Sequence, residues 1–356
     1  MPIVPLYGHE SIRRRLRRMI DTGSLAGSLL LEGLRGIGKQ RLALWLAQLL
    51  VCDHDDKPCG TCLACRSVLE LRHPDVFWVY PRPRLSDANA TSDDVVEDLV
   101  EASAERAAKH GLYARPSGSG AIFLATTLTI VGKAAMSPSM GRRKIFIVGD
   151  AERMVAQEGS DQAANAFLKL LEEPPSDTTI LLTSSEPGAL LPTIRSRVVS
   201  IRCAPLADAE VLSFVRDPNA KAMLDSLDLP RGDAERVALA RGAPGDLLSV
   251  EALSSARAGA LRLLHASSAR GAERYATALA HGSAGARGAF SDMLAELNVL
   301  LSQRAESSLL AGDTDGAYAA ARAAVAVTEA QARADGNVSP QLTAAALMDA
   351  LQGVPA

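Results

Sequence analysis

Three features of the chain predict an α/β domain built on a parallel sheet with helices on both faces, followed by a small helical unit and an all-helical C-terminal domain. Short apolar runs recur in the N-terminal part, at Ser28–Glu32, Lys144–Val148 and Thr179–Thr183, with helical stretches between them. A glycine-rich turn, Gly33-Leu-Arg-Gly-Ile-Gly38-Lys39-Gln40, joins the first of these runs to a helical one. After Pro205 the strand signals stop. Strands spaced by helices make consecutive strands parallel and cover both faces of their sheet.

Each element follows from its own pattern. Ser28–Glu32 (SLLLE) is a short buried strand, and Arg41–Val51 is the helix after the glycine turn. Residues 83–120 form a polar insert that ends in Pro116-Ser-Gly-Ser-Gly120. Its acidic stretch (Asp93, Asp94, Glu97, Asp98, Glu101) predicts one solvated helix over Asp93–Lys109. Lys144–Val148 (KIFIV) is the next strand. Ser160–Glu173 is a helix with Ala164, Phe167, Leu168 and Leu171 on one face, and Pro174-Pro175 stops it. Thr179–Thr183 and Val198–Ile201 are further strands. Residues 207–250 read as a small helical unit with breaks at Asp217-Pro-Asn and Gly242-Ala-Pro-Gly, and residues 251–356 are Ala-rich and helical. The expected domains are 1–204, carrying a cysteine insert at 52–65 and the polar insert at 83–120, then a helical lid at 205–250 and a helical C-terminal domain at 251–356.

Composition narrows the function classes. The chain has 356 residues, more than one typical core. With 47% hydrophobic and 22% charged residues it is ordinary globular protein. A net charge of −3 argues against a free-standing DNA binder. Arg13, Arg14, Arg15, Arg17 and Arg18 make a basic patch on one early helix, read as a solvated or subunit-facing surface. No export signal is visible, and the apolar stretch around Ala121–Val131 is too short and Thr-rich to span a bilayer. The expectation is a cytoplasmic protein with no membrane partner.

Five cysteines, four of them clustered, favour metal over disulfide in a reducing compartment. Cys52, Cys59, Cys62 and Cys65 are spaced C-x6-C-x2-C-x2-C, a thiolate set for tetrahedral Zn²⁺. Four cysteines leave no open position, so the zinc is expected to be structural. Pro58 and Gly60 suit the tight turn between ligands, and His54 is an alternative to Cys52. Cys203 is expected as a buried thiol near the last strand. The cluster alone also suits a zinc-dependent nucleic-acid-binding module, which the charge disfavours.

The glycine turn nearly matches G-x-x-x-x-G-K-[ST], in the strand-to-helix context that motif needs. Backbone N–H groups of such a loop curl around phosphate oxygens, and the helix N-terminus and the lysine add positive charge. Gly33, Gly36, Gly38, Lys39 and Gln40 are therefore candidate nucleotide-binding residues, with ATP or ADP as ligand. Gln40 stands where a Ser or Thr hydroxyl would hold Mg²⁺. At the end of the Lys144–Val148 strand, Gly149-Asp150 stands where an Asp-Glu pair would hold the metal and polarise water. Two losses at one site argue against hydrolysis.

Together with His73-Pro-Asp75, Asn165-Ala-Phe-Leu-Lys-Leu-Leu-Glu-Glu-Pro-Pro175 and Leu191-Pro-Thr-Ile-Arg-Ser196-Arg197, these motifs resemble the AAA+ clamp-loader family of bacterial DNA polymerase III, which includes the gamma/tau and delta-prime subunits. The resemblance runs over about residues 6–250. It implies an AAA+ P-loop domain, a helical lid and a helical collar. It also implies that Arg197 is an arginine finger donated to a neighbouring subunit's ATP site. Val198 departs from the Cys of the family's Ser-Arg-Cys motif. Thr183 or Ser184 falls where the family carries a polar sensor, and Gly245 stands where gamma/tau has a lid Arg. Three hydrolysis residues are absent while the donated Arg is kept, which points to the delta-prime branch: no independent enzymatic activity, with delta, gamma/tau, the sliding clamp and primed DNA as partners. The alternative is an ATP-hydrolysing gamma/tau-type motor.

Overall fold

The computed structural model describes residues 2–83, 85, 91–113, 120–154, 161–269, 275–276, 287–335 and 339–354. The chain divides into two compact units, which part between Leu248 and Ser249.

The first unit is built on five parallel strands: β1 (Ser28–Glu32), β2 (Val76–Val79), β3 (Lys144–Val148), β4 (Thr178–Ser184) and β5 (Val199–Arg202). Their spatial order is β2-β3-β4-β1-β5, and every pairing is parallel. β1, β3 and β4 read as unbroken apolar runs because both faces of the sheet are covered. Leu29, Leu31, Ile145, Ile147 and Leu181 pack on one side with α2 (Lys39–Val51) and α3 (Leu63–Leu69). Leu30, Phe146, Val148, Ile180 and Leu182 pack on the other with α5 (Leu124–Ala134) and α6 (Asp161–Glu172). The α/β architecture expected from the motif pattern is the one observed.

Before the sheet, α1 (Glu10–Asp21) buries Leu16 and exposes Arg14, Arg15, Arg17 and Arg18. Arg13 differs from these four: it lies over the Trp45 ring, 4.9 Å from its centroid. The insert helix α4 (Ser92–Ala108) is started by a capping box, in which Thr91 and Asp94 bond each other's backbone N–H. It was expected to be solvated, and it is so only on one side. Val95, Ala102 and Arg106 are buried, a spacing that places them on one helical face. The Pro116–Ser119 stretch, Ser160 at the expected start of α6, and the side chains of Ala164, Asn165 and Ala166 lie outside the described residues.

The helical segment after β5 carries α8 (Asp208–Arg216), α9 (Pro218–Asp225) and α10 (Asp233–Ala240), preceded in the sheet region by the short α7 (Pro192–Arg195). It has its own core of Leu206, Val211, Phe214, Val215, Leu224 and Leu247, joined by Val4 and Leu112. The second unit contains α11 (Val250–Ser267), α12 (Arg287–Leu310), α13 (Thr314–Asp335) and α14 (Pro340–Ala350), packed around Leu263, Leu294, Leu297, Leu301, Val327 and Leu347. Among the described residues no helix is long and apolar enough to cross a membrane.

Candidate functional site

The phosphate loop leaves the carboxyl end of β1, beside the point where strand order turns from β4 to β5. Open α/β sheets bind ligands at such a position. The loop requires its glycines. Gly36 and Gly38 have φ of +74° and +91°, and Gly38 starts α2 from that left-handed conformation. A Cβ on Gly33 would lie 2.3 Å from the Cys203 carbonyl oxygen, and one on Gly36 2.5 Å from Asp246 Oδ1. Gly245 N–H donates to Gly36 O at 2.9 Å, so the segment after α10 lies directly on the loop.

Lys39 is buried, and its ammonium is used internally. Nζ donates to Gly33 O (2.9 Å), Leu34 O (2.7 Å) and Ser185 Oγ (3.0 Å). Burial lowers its pKa against the opposing pull of Asp150 and Glu152. Glu152 is the nearby acid that sequence reasoning missed. It accepts from Ser185 N–H at 3.1 Å, and burial together with the Asp150 charge raises its pKa. Asp150 has φ of +50°, and its N–H donates to Thr183 Oγ1 at 3.1 Å. Thr183 thus serves backbone geometry at the strand end, and Ser184 Oγ accepts from Glu186 N–H.

The space beside Gly149, at the carboxyl end of β3, is filled by the Gln40 side chain. A Cβ on Gly149 would lie 2.6–2.7 Å from three atoms of the Gln40 amide. That amide accepts through Oε1 from Trp78 Nε1 (3.0 Å) and Tyr113 Oη (3.1 Å). The two sequence departures are therefore one feature: the long side chain at 40 occupies the space that an acid at 149 would need. Behind it, α4 places the Arg106 guanidinium 4.4 Å from the Trp78 ring centroid, 3.1 Å from that of Tyr80 and 3.6 Å from that of Tyr113. Burial lowers the pKa of Arg106 and raises that of Tyr113 to about 12. No sequence motif marks this cluster, since its members come from separate segments.

The four cysteines do come together. Their ligand atoms all lie within 4.8 Å of one another, and His54 is not part of the group. Cys52 follows the last residue of α2, and Cys62 caps α3 by accepting the Cys65 N–H. A tetrahedral zinc with bonds of about 2.3 Å sets its sulfurs about 3.8 Å apart; Cys59 and Cys65 Sγ are 3.9 Å apart. Backbone N–H groups of Cys59, Cys62 and Cys65 point at the sulfurs of Cys52, Cys59 and Cys62. The backbone N–H groups of Cys62 and Thr61 lower the Cys59 thiol to about 5, whereas burial raises that of Cys65. The set fits a four-thiolate metal centre that ties α3 to the end of the phosphate-loop helix. Cys203 is buried just after β5, as expected.

Arg197 lies at the opposite end of the sheet. β5 runs parallel to β1 with Val199 beside Leu29, so Arg197 enters at the amino end while the phosphate loop leaves the carboxyl end. About 13 Å of strand separates the two levels. The guanidinium bonds Glu172 Oε1 through Nη2 (2.7 Å) and Thr193 O through Nη1 (2.8 Å), and it remains partly exposed. His73 and Asp75 have a structural role: Asp75 accepts the N–H groups of Ser139, Met140 and Gly141 and anchors the loop before β3.

Residues 8–207 match the family model described as DNA polymerase III, delta subunit. The DNA polymerase III subunit delta' of Pseudomonas aeruginosa is 34% identical over 214 residues, 58% of this chain and 53% of its own. That of Bacillus subtilis is 29% identical over 196 residues, 55% of this chain and 47% of its own. The subunit gamma/tau of Mycobacterium tuberculosis is 31% identical over 194 residues, 54% of this chain and 27% of its own. The chain spans about half the length of the delta' relatives it matches. With the family model covering more than half of its residues, the chain belongs to the DNA polymerase III delta subunit family.

Proposed function

We propose that this chain is the delta-prime subunit of a DNA polymerase III clamp loader, a structural member of a ring that opens the sliding clamp and sets it on primed DNA. Its partners are delta and gamma/tau, joined through the helical C-terminal unit as a collar, and it works in the cytoplasm. It hydrolyses little or no ATP itself and donates Arg197 to a neighbour's ATP site. The observation that carries the reading is the Gln40 amide seated over Gly149, which closes the metal position, while Arg197 is kept where it cannot serve its own loop. ATP or ADP would contact Gly33, Gly36, Gly38, Lys39 and Gln40. Lys39 would have to leave the loop carbonyls to meet a phosphate.

Zn²⁺ would be held by Cys52, Cys59, Cys62 and Cys65. Bound there, a metal supplies a cross-link and no reactive position. The cysteines position α3 against α2, the helix that begins at the phosphate loop.

A gamma/tau-type motor is the second reading, favoured by the retained Lys39 and loop glycines and by the gamma/tau relatives. Incubating the purified chain with Mg²⁺-ATP separates the two. The delta-prime reading expects no turnover above buffer, together with a stable complex with gamma/tau on gel filtration. Sustained hydrolysis by the chain alone would install the motor reading instead.

A further inference from the structure

Two of the chain's motifs lie 25 residues apart and are joined by one ion pair. Glu172 closes α6, the helix that stops before Pro174-Pro175, and its Oε1 accepts from Arg197 Nη2 at 2.7 Å. Nη1 of the same guanidinium donates to Thr193 O at 2.8 Å and lies 3.4 Å from Ser196 Oγ. Nε is buried with no hydrogen-bond partner among the described residues. The plane of the fork is therefore fixed from two sides by two elements, α6 and α7, while the side chain keeps 28% of its surface exposed.

From this arrangement we infer that Glu172 is the positioning residue of Arg197: its carboxylate holds the guanidinium in the orientation that a neighbouring subunit's nucleotide phosphate meets. The inference rests on the proposed role of Arg197 in a neighbour's site. Three points support it. First, the contact is a single Nη2–Oε1 bond and not a two-point fork, so the second Nη2 N–H stays available to an incoming anion. Second, a carboxylate in the last turn of a helix faces the negative end of the helix dipole. Glu172 sits there with a guanidinium against it, which makes the pair mutually dependent. Third, the anchor is stiff: Phe167, Leu170 and Leu171 of the same helix are buried in the core under the sheet. An arginine free to sample its rotamers would present its charge correctly only part of the time, and small misplacements of a reacting group carry large rate penalties.

The test is a double-mutant cycle in the reconstituted ring of this chain with delta and gamma/tau, reading DNA-stimulated ATP turnover. Glu172→Ala is expected to lower kcat about tenfold at the site facing Arg197, with KM for ATP unchanged. Glu172→Gln keeps an oxygen for Nη2 and should lose less, and it serves as the working variant if Glu172→Ala fails to assemble. In the Arg197→Ala background, Glu172→Ala should have no further effect, since its action runs through the arginine. If Arg197→Ala slows the ring while the Glu172 variants turn over at or above the wild-type rate, or add an independent loss to Arg197→Ala, this inference is overturned and the delta-prime reading stands. If Arg197→Ala leaves turnover unchanged, the proposed role of Arg197 is itself wrong and this inference falls with it.

Discussion

Placing an acid at position 149 should damage this protein. Gly149 has no left-handed φ to protect, so the effect of Gly149→Asp is steric: its Cβ meets the Gln40 amide at 2.6 Å. Gln40 must swing out, which strips the acceptor from Trp78 Nε1 and Tyr113 Oη. An unpaired buried donor costs about 1–3 kcal/mol. Both bonds are only partly buried, so the substitution should cost about 2–4 kcal/mol. Urea unfolding followed by tryptophan fluorescence measures it cleanly, because the chain's two tryptophans, Trp45 and Trp78, both lie in the first unit. Gln40→Thr removes the colliding amide. In that background Gly149→Asp should cost at least about 1 kcal/mol less than in the wild type. Equal costs in the two backgrounds would refute the idea that residue 40 fills the space left at 149.

Two further outcomes follow from the same geometry. Asp75→Ala should cost about 3 kcal/mol at neutral pH, since a charged acceptor of three N–H groups is lost. Burial pushes the Asp75 carboxyl up, but the three donors outweigh it and hold it below its ordinary 3.8. Its stabilisation is therefore complete above the unfolded value and fades as pH falls below about 4, so unfolding curves of wild type and variant should converge in acid. For the cysteines, elemental analysis should find about one zinc per chain, with Cys59→Ser and Cys65→Ser each losing it and lowering the melting temperature. A metal-free wild type with an unchanged melting temperature would remove zinc from the account.

The parts of this molecule that were legible in sequence are those whose information is contiguous. β1, β3 and β4 are apolar runs buried on both faces, and the phosphate loop and the cysteine cluster are each carried within a short stretch. β2 (Val76–Val79) gives no clear signal because the five residues between His73-Pro-Asp75 and Pro81 are too few to show a period. The polar insert misled through its acids: the stripe of Val95, Ala102 and Arg106 was present, but five carboxylates drew the reading toward solvent. The Gln40–Trp78–Arg106–Tyr113 cluster was invisible for a different reason. Its members are spread over 74 positions of the chain, and only the packing of α4 beside β2 brings them together. Likewise, Arg197 was marked by its motif, but its separation from the chain's own loop follows from the parallel pairing of β5 with β1.

The most direct test of the account is the Arg197→Ala variant assembled with delta, gamma/tau and the clamp, with DNA-stimulated ATP turnover measured beside the isolated chain. Losing one preorganised contact of this type slows its site about 10²–10³-fold, diluted by the ring's other sites. The account predicts an inactive isolated chain, and a ring that assembles normally but turns over more slowly with the variant. A ring indifferent to the substitution, or an isolated chain that hydrolyses ATP, would contradict it.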